Sequence, residues 1–246
     1  MVLTLSNPSQ RNALGPEMYA AGIEALNGAE NNGEIRSVVL VGEGAWFCAG
    51  GSLQRLLANR ERDPSVQAES IDGLHNWIDS IRTFPKPIIA AVEGAAAGAG
   101  FSLALACDLI VAARDAVFAA SYSNVALSPD GGISWHLARS LPRQLANEWL
   151  MLGGRIPATQ LHVHGVVNEI TKNGQALAAA LALAERLNAR APNALTSIKE
   201  LVGDANNATL ATQLAQERDH FVRNLHHANA SIGIGAFLGK TTPNYE

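Results

Sequence analysis

Residues 86–113 have the sequence KPIIAAVEGAAAGAGFSLALACDLIVAA. The continuous apolar run at 88–92, which follows a proline, predicts a strand that is buried on both faces of a sheet. The glycines of GAAAGAG then indicate a sharp turn into a short apolar helix at 101–106. A second buried strand is predicted at 108–112. Strand, glycine-rich turn, helix and strand in this order indicate an α/β domain.

Strands and helices alternate on both sides of this segment. Apolar periodicity predicts helices at 16–27, 66–84 and 133–139 and further strands at 2–5, 37–41 and 117–119. The alternation continues to 166–167, and everything after Gly174 is predicted to be helical. A chain of 246 residues with 48% apolar content can bury a sizeable core. We therefore expect one α/β domain with a short helical tail.

Charge and hydropathy exclude several classes of protein. Eighteen basic and twenty-two acidic residues give a net charge of −4, and no stretch gathers five or six like charges. We therefore expect no nucleic-acid partner and no membrane partner. The uncharged segment between Glu93 and Asp108 has only fourteen residues, fewer than the roughly 18 to 20 that a membrane helix needs. The N-terminus lacks the basic and apolar regions of a signal peptide, so a cytoplasmic protein is expected.

Cysteines and histidines show no pattern of a disulfide or a metal site. Cys48 and Cys107 lie in apolar segments far apart in the sequence, so we expect buried, reduced thiols. The histidine pairs at 162/164 and 226/227 have no acidic or cysteine partner at ligand spacing. No metal is therefore expected.

Two other enzyme classes are not supported by the spacing of their candidate residues. Asp130, Ser134 and His136 lie within seven residues and suggest a serine hydrolase. Positions i and i+2 of a helix point apart, however, and the sequence has no G-x-S-x-G motif. A nucleotide-binding dehydrogenase needs G-x-G-x-x-G, and the GAG at 98–100 is not followed by the third glycine.

Two glycine-rich turns form the candidate reactive site. FCAGGSL at 47–53 and GAAAGAGFSL at 94–103 each leave a strand and enter a helix. Amides in the first turn of a helix have no intrahelical acceptor, so each turn can present a free N–H. The small residues allow a carbonyl group to approach the backbone closely. Two such donors would form an oxyanion hole, which stabilises the negative charge of an enolate.

Six segments resemble the enoyl-CoA hydratase/isomerase (crotonase) superfamily in their order and spacing. They are NPSQRNAL at 7–14, FCAGGSL at 47–53, KPIIAAVEG at 86–94, GAGFSLALACDLIVAA at 98–113, LSPDGG at 127–132 and GAFLGK at 235–240. The resemblance implies an α/β fold whose crotonase-like core, residues 1–190, has repeated ββα units in a spiral and contains the CoA and active site. Residues 191–246 are then implied to be a C-terminal helical region for trimerisation.

The resemblance also implies roles for individual residues. Gly51 and Ala99 supply the oxyanion amides, with Gly100 in place of Ala99 if the register is shifted by one residue. The residues implied to line the CoA portion are Ala49, Ser52, Leu53 and the segment 11–14, which includes Arg11 and Ala13. Phe237 and Lys240 are implied to close the CoA pocket of a neighbouring subunit in a homotrimer or a dimer of trimers. Because CoA is part of the acyl-CoA substrate, no separate cofactor is expected.

The chain also departs from the family pattern. Hydratases of the family have two glutamates at the positions where this chain has Ser102 and Tyr122. Adding water to an enoyl thioester needs one group to activate the water and a second for the proton at the α-carbon, and that pair is missing. Asp130 resembles the single catalytic acid of the isomerase-like and ring-modifying members. A helix-capping role beside Gly131 is the alternative, because aspartate caps helices well.

We therefore expect an acyl-CoA enzyme that stabilises a thioester enolate, with Asp130 as the single acid/base in double-bond isomerisation or a related reaction. Apolar neighbours such as Val125 and Leu127 would have to raise the pKa of Asp130 to make it an effective base. One alternative is an enoyl-CoA hydratase or hydrolase acting on ring intermediates of aromatic-acid catabolism. Another is a CoA-binding protein without activity. Arg55 either meets a CoA phosphate or is an ordinary solvated arginine.

Overall fold

The computed structural model describes residues 1–245 and contains eight β-strands and eleven α-helices in that range. The strands are β1 (Val2–Leu5), β2 (Val38–Gly42), β3 (Ile88–Val92), β4 (Ala95–Ala97), β5 (Leu109–Ala113), β6 (Val117–Ala119), β7 (Arg155–Pro157) and β8 (Glu169–Thr171). The helices are α1 (Pro16–Glu30), α2 (Leu53–Arg60), α3 (Pro64–Thr83), α4 (Ala99–Ala106), α5 (Ile133–Ser140), α6 (Arg143–Leu152), α7 (Ala158–Val163), α8 (Ala176–Asn188), α9 (Pro192–Ala205), α10 (Leu210–Leu225) and α11 (Ala228–Gly239).

The larger sheet has five parallel strands in the order β1-β2-β3-β5-β8. In its register, Val39 lies opposite both Val2 and Ile89. Successive side chains of a strand point to opposite faces. Leu40 therefore packs in the main core with α1 and α3, whereas Val39 and Ile89 pack against Ala180 of α8. Apolar layers on both faces explain why the β3 sequence is apolar without alternation.

A smaller sheet has the order β4-β6-β7, in which β7 is antiparallel to β6. The chain passes three times from a strand of the larger sheet, through an extended segment of the second layer, into a helix. These passages are β3-β4-α4, β5-β6-α5, and β2 followed by the Cys48–Ala96 bridge and α2. The repeated ββα arrangement confirms the predicted fold class.

Most element boundaries agree with the sequence-based predictions, with two differences. The segment 94–100, predicted as a turn, contains the short strand β4 between Gly94 and Gly98. The alternation also extends past 166–167, because β8 begins at Glu169. Asn168 sets this register, since its amide donates to Ile110 O at 2.9 Å and its side-chain oxygen accepts from Ile110 N at 2.7 Å.

The C-terminal region consists of α9, α10 and α11, and the predicted boundary at 190/191 falls in the loop between α8 and α9. Glu246, the last residue of the predicted region, lies outside the described residues. No side chain of α10 is buried, although the helix is rich in leucine and contains Phe221. In the part of the chain that the structure describes, no helix is long and apolar enough to cross a membrane.

Candidate active site

A cavity of about 700 Å³ lies where the two glycine-rich turns meet α1, α2, α3 and the loop that precedes α5. Of the predicted site residues, those that line it are Arg11, Ala49, Gly51, Ser52, Leu53, Ala99 and Asp130. Its apolar walls include Leu74, Val125 and Leu127. The volume lies in the range of pockets that hold small organic ligands.

The two turns are joined by backbone hydrogen bonds. Cys48 N donates to Ala95 O at 3.0 Å, and Ala97 N donates to Cys48 O at 2.9 Å. Gly50 has a φ of +88°, and a Cβ there would lie 2.5 Å from Ala97 O and 3.3 Å from Ala99 N. Glycine at position 50 therefore lets the first turn lie directly on the second.

The amides of Gly51 and Ala99 both lie at the cavity, and neither donates a hydrogen bond to any group in residues 1–245. Ala99 is the first residue of α4, where the amide has no intrahelical acceptor. Gly100 instead packs against Cys48, since a Cβ on it would lie 2.6 Å from Cys48 O. The geometry therefore favours Ala99 over Gly100 as the second donor. Both amides are available to an oxygen atom of a ligand.

Asp130 is held by two hydroxyl groups from distant parts of the chain. Tyr122 Oη donates to Asp130 Oδ1 at 2.7 Å, and Ser102 Oγ donates to the Asp130 carbonyl oxygen at 2.9 Å. The two hydroxyl oxygens are 3.3 Å apart. The sequence comparison treated Ser102 and Tyr122 only as missing glutamates, and it did not reveal that both residues contact Asp130.

The capping hypothesis for Asp130 is wrong. The N-cap of α5 is Gly132, with a φ of +81°, and no side chain caps that helix. The carboxylate of Asp130 accepts from Tyr122 instead, and the residue lines the cavity. Gly131, also at positive φ, packs against Ser102, where an added Cβ would meet the Ser102 Cβ at 2.7 Å. The glycines thus allow the loop to turn so that the carboxylate lies at the cavity.

The surroundings of Asp130 alter its acidity. Burial raises the pKa of Asp130, and the Tyr122 hydrogen bond and the nearby His75 oppose that rise. His75 Nε2 also accepts from Gly131 N at 3.3 Å, which ties α3 to this loop. The rise expected for the pKa of Asp130 is present and comes from burial, whereas Val125 and Leu127 are themselves about half exposed. A carboxylate with a raised pKa is a stronger base than one in water.

The family model for enoyl-CoA hydratase/isomerase matches residues 1–246. The chain belongs to this family. A relative in Escherichia coli strain K12, 1,2-epoxyphenylacetyl-CoA isomerase, is 35% identical over 100% of this chain and 94% of its own. A second relative there, 2,3-dehydroadipyl-CoA hydratase, is 32% identical over 100% of this chain and 94% of its own. The crystal structure of an enoyl-CoA hydratase from Polaromonas sp. JS666 has a TM-score of 0.99 and 71% identity over 100% of this chain and 95% of that one.

The chain is accordingly an enzyme of the enoyl-CoA hydratase/isomerase family, whose members act on acyl-CoA thioesters. Several residues that the family resemblance implied nevertheless lie away from the cavity. Ala13 is buried and is not among the residues that line it. Phe237 is 84% exposed near the end of α11, and Lys240 follows that helix, so neither closes the pocket of its own chain. Their predicted role toward a neighbouring subunit stays a prediction.

Asn12 lies in the segment implied to line the CoA portion, but it is absent from the cavity lining and instead holds the backbone around it. It is completely buried at a φ of +57°. Its Nδ2 donates to Glu43 O at 2.9 Å and Trp46 O at 2.7 Å, while Oδ1 accepts from Asn7 N at 3.0 Å. Asn12 therefore fixes the loop that presents Arg11 to the cavity.

Glu93 and the two cysteines have structural surroundings and lie outside the cavity lining. Glu93 Oε1 accepts from Ala176 N, the first amide of α8, at 2.9 Å, so Glu93 caps that helix. Both cysteines are free and buried, as predicted, and burial raises the pKa of Cys48 to about 12. Among the described residues, no hydrogen bond joins Ser134 to His136, and no group of three or more potential metal ligands occurs.

Arg55 is a half-exposed arginine with one long ion pair. It lines the cavity, and its guanidinium packs over Gly15, where an added Cβ would meet Nη1 at 2.3 Å. Nη1 is buried without a hydrogen-bond partner among the described residues, and Nη2 lies 3.8 Å from the exposed carboxylate of Glu17. An exposed pair at that distance contributes little. Whether Arg55 meets a CoA phosphate stays a prediction.

Proposed function

We propose that this enzyme moves a proton between carbon atoms of a CoA thioester, with Asp130 as the single acid/base and the amides of Gly51 and Ala99 as the oxyanion hole. One observation carries the proposal. Asp130 is the only carboxylate among the described residues that line the cavity. A shift of a double bond requires one group that removes a proton and returns it elsewhere, and one carboxylate suffices.

The reaction follows from this arrangement. The thioester carbonyl oxygen lies between the two amides. Asp130 takes a proton from the carbon next to the double bond that is conjugated with this carbonyl. The electron pair of that C–H bond moves toward the carbonyl, and the two amides stabilise the resulting oxyanion. Asp130 then returns the proton to another carbon, so the double bond has moved and the carboxylate is regenerated. One such amide donor contributes about 3 kcal/mol to lowering the barrier.

Hydration is the second candidate function. It is favoured by the description of the Polaromonas protein as an enoyl-CoA hydratase and by the name of the 2,3-dehydroadipyl-CoA hydratase relative. Two groups usually divide the work of hydration between the water and the α-proton. Ser102 and Tyr122 remain protonated hydroxyls, because burial raises the pKa of Tyr122 and serine does not ionise near neutral pH. The name of the other relative, an epoxyphenylacetyl-CoA isomerase, supports isomerisation.

A screen in D₂O tests both candidates. A series of straight-chain, branched and ring-containing acyl-CoA and enoyl-CoA esters is incubated with the protein, and products are analysed by mass spectrometry and NMR. The proposal expects isomers that carry deuterium at the α- or γ-carbon and are otherwise unchanged in composition. A product heavier by one D₂O would support hydration instead. No exchange and no product with any ester would contradict the proposal.

A binding measurement tests the substrate class separately. The glycine turns and the apolar walls offer a thioester two amides and an apolar surface. We therefore expect acetoacetyl-CoA to bind much more tightly than acetoacetate in titration calorimetry. Equal affinity for the two compounds, or no binding of either, would contradict the CoA assignment.

A further inference from the structure

Asp130 has two carboxylate oxygens in unequal environments. Oδ1 accepts the hydrogen bond of Tyr122 at 2.7 Å, whereas Oδ2 has no hydrogen-bond partner among the described residues. A distance of 2.7 Å is typical of a strong O–H···O bond to a charged acceptor. The carboxylate is therefore held through one oxygen, and the other is left to react.

The position of Tyr122 is itself fixed by its backbone. Its carbonyl oxygen accepts from Val125 N at 3.1 Å and from Leu127 N at 3.0 Å, and its amide donates to Ala120 O at 2.8 Å. The side chain is nearly completely buried. The hydroxyl therefore meets Asp130 with little freedom to rotate away.

Ser102 contacts both Asp130 and Tyr122. It is completely buried in α4, and its Oγ lies 2.9 Å from the Asp130 carbonyl oxygen and 3.3 Å from Tyr122 Oη. One hydroxyl thus holds the backbone of Asp130, and the other holds its carboxylate. Three residues separated by 8 to 28 positions in the sequence form one connected group.

We propose that Tyr122 is a positioning residue for Asp130: its hydroxyl orients the carboxylate through Oδ1 and leaves Oδ2 to take the proton from the substrate. This inference rests on the proposed role of Asp130 as the acid/base. It gives a function to Tyr122, which occupies a position where hydratases of the family have a glutamate. Tyr122 also lines the cavity, and in this proposal it acts through Asp130.

The charged and titratable groups around Asp130 predict how its pKa changes when the Tyr122 hydroxyl is removed. From α3, His75 stabilises the carboxylate, and from the neighbouring loop Tyr122 donates a hydrogen bond to it. Tyr19 of α1 is a neutral neighbour, because burial, with Asp130 as the next cause, raises the pKa of Tyr19 to about 12. Arg55 of α2 acts on the same tyrosine. Removing the Tyr122 hydroxyl leaves burial less opposed, so the pKa of Asp130 should rise further.

The test compares Tyr122→Phe with the parent and with Tyr245→Phe, which removes a hydroxyl far from the cavity. In full-length protein labelled with ¹³C at aspartate carboxyl carbons, NMR titration gives the pKa of Asp130, assigned by loss of its signal in Asp130→Asn. We expect an upward shift of about one to two pH units in Tyr122→Phe, the size of a lost hydrogen bond to a charged group. Tyr245→Phe should titrate like the parent.

Proton exchange provides the second measurement. In Tyr122→Phe, the acid limb of the exchange rate at the α- or γ-carbon should move to higher pH by the same amount. The maximal rate should fall about 10- to 100-fold if orientation is also lost. An unchanged pKa and an unchanged exchange profile would show that Tyr122 only fills space, and would overturn the inference.

Two further outcomes are distinguishable. If the parent exchanges no proton with any acyl-CoA ester, the proposed function fails, while the NMR titration still decides whether Tyr122 controls Asp130. If Tyr122→Phe does not fold, fluorotyrosine is incorporated in place of tyrosine, which keeps the ring and makes the hydroxyl a stronger hydrogen-bond donor. The pKa of Asp130 should then fall, and an unchanged value would overturn the inference.

Discussion

Asp130 and Glu93 show how the environment of a carboxylate decides its role. Glu93 directly follows β3 and precedes Gly94. Asp130 lies in the loop before α5 and precedes Gly131. Glu93 accepts the first amide of α8 and so completes a helix terminus. Asp130 lines the cavity, where burial raises its pKa and only one of its oxygens is hydrogen-bonded. The first residue stabilises the fold, and the second is available for chemistry.

Replacing Asp130 by asparagine should abolish most proton transfer without unfolding the protein. The amide oxygen of asparagine can still accept from Tyr122, but it cannot act as a base. We expect deuterium exchange into a bound acyl-CoA to fall about 10²- to 10⁴-fold. Glu93→Gln is the matched control, because glutamine can still accept from Ala176 N and should exchange like the parent. Exchange at the parental rate in Asp130→Asn would remove Asp130 from the mechanism.

The same substitution should change stability in a pH-dependent way. Because the pKa of Asp130 is raised in the folded state, the native protein binds its proton more tightly than the unfolded chain does. The stabilisation that the protonated Asp130 gives to the folded state is fully present below the pKa of the unfolded chain. It is lost as the pH rises through the pKa of the folded state. Asp130→Asn should therefore have a higher Tm than the parent at neutral pH, and the difference should shrink on acidification. A lower Tm at neutral pH would contradict this account.

The two glycine-rich turns act as one element because the backbone of each is hydrogen-bonded to the other. The backbone of Cys48 forms hydrogen bonds with the backbones of Ala95 and Ala97, and Gly50 lies against the Ala97 carbonyl. The positions of the Gly51 and Ala99 amides therefore depend on this contact and on the helices that start beside them. Movement of one turn by a fraction of an ångström would separate the two donors, and orientation effects on catalysis are that sensitive.

Gly50→Ala should displace the turns. An alanine there is strained at a φ of +88°, and its Cβ would lie 2.5 Å from Ala97 O. We expect a loss of about 1 to 3 kcal/mol in the free energy of unfolding, together with weak binding of acetoacetyl-CoA. Gly28→Ala is the control, since a Cβ on this α1 residue meets nothing within 4 Å, and it should gain about 0.5 to 1 kcal/mol. Equal stability of the two variants, measured by denaturant titration, would contradict the packing argument.

The whole molecule leaves a large apolar surface on its C-terminal helices. The exposed apolar side chains of α10 and α11 are Leu210, Leu214, Phe221, Val222, Leu225, Ile234, Phe237 and Leu238. Eight exposed large apolar side chains on two consecutive helices are more than a monomer usually leaves in water. We propose that copies of the chain cover this surface in a trimer or a pair of trimers, which agrees with the role predicted for residues 191–246.

Light scattering with size-exclusion chromatography checks this assembly. We expect a mass near three or six times the 25.9 kDa of one chain at micromolar concentration. Phe221→Asp should reduce that mass, because it places a charge within the apolar surface. Val163→Asp, which changes an exposed apolar residue of α7, should leave the mass unchanged. A parental mass near a single chain would rule out the proposed assembly.

The strands, helices and glycine turns could be predicted because they follow from short-range rules. The apolar run at 88–92 and the glycines at 50 and 98 express local sterics and the burial of one segment on both faces. No short-range rule brings Ser102, Tyr122 and Asp130 together. Their contacts depend on how α4 packs against two loops. Side-chain partners across 20 or more residues are set by the packing of whole elements. Local patterns therefore predicted the α/β fold, and the family resemblance indicated Asp130, but its hydrogen-bond partners became visible only once the chain was folded.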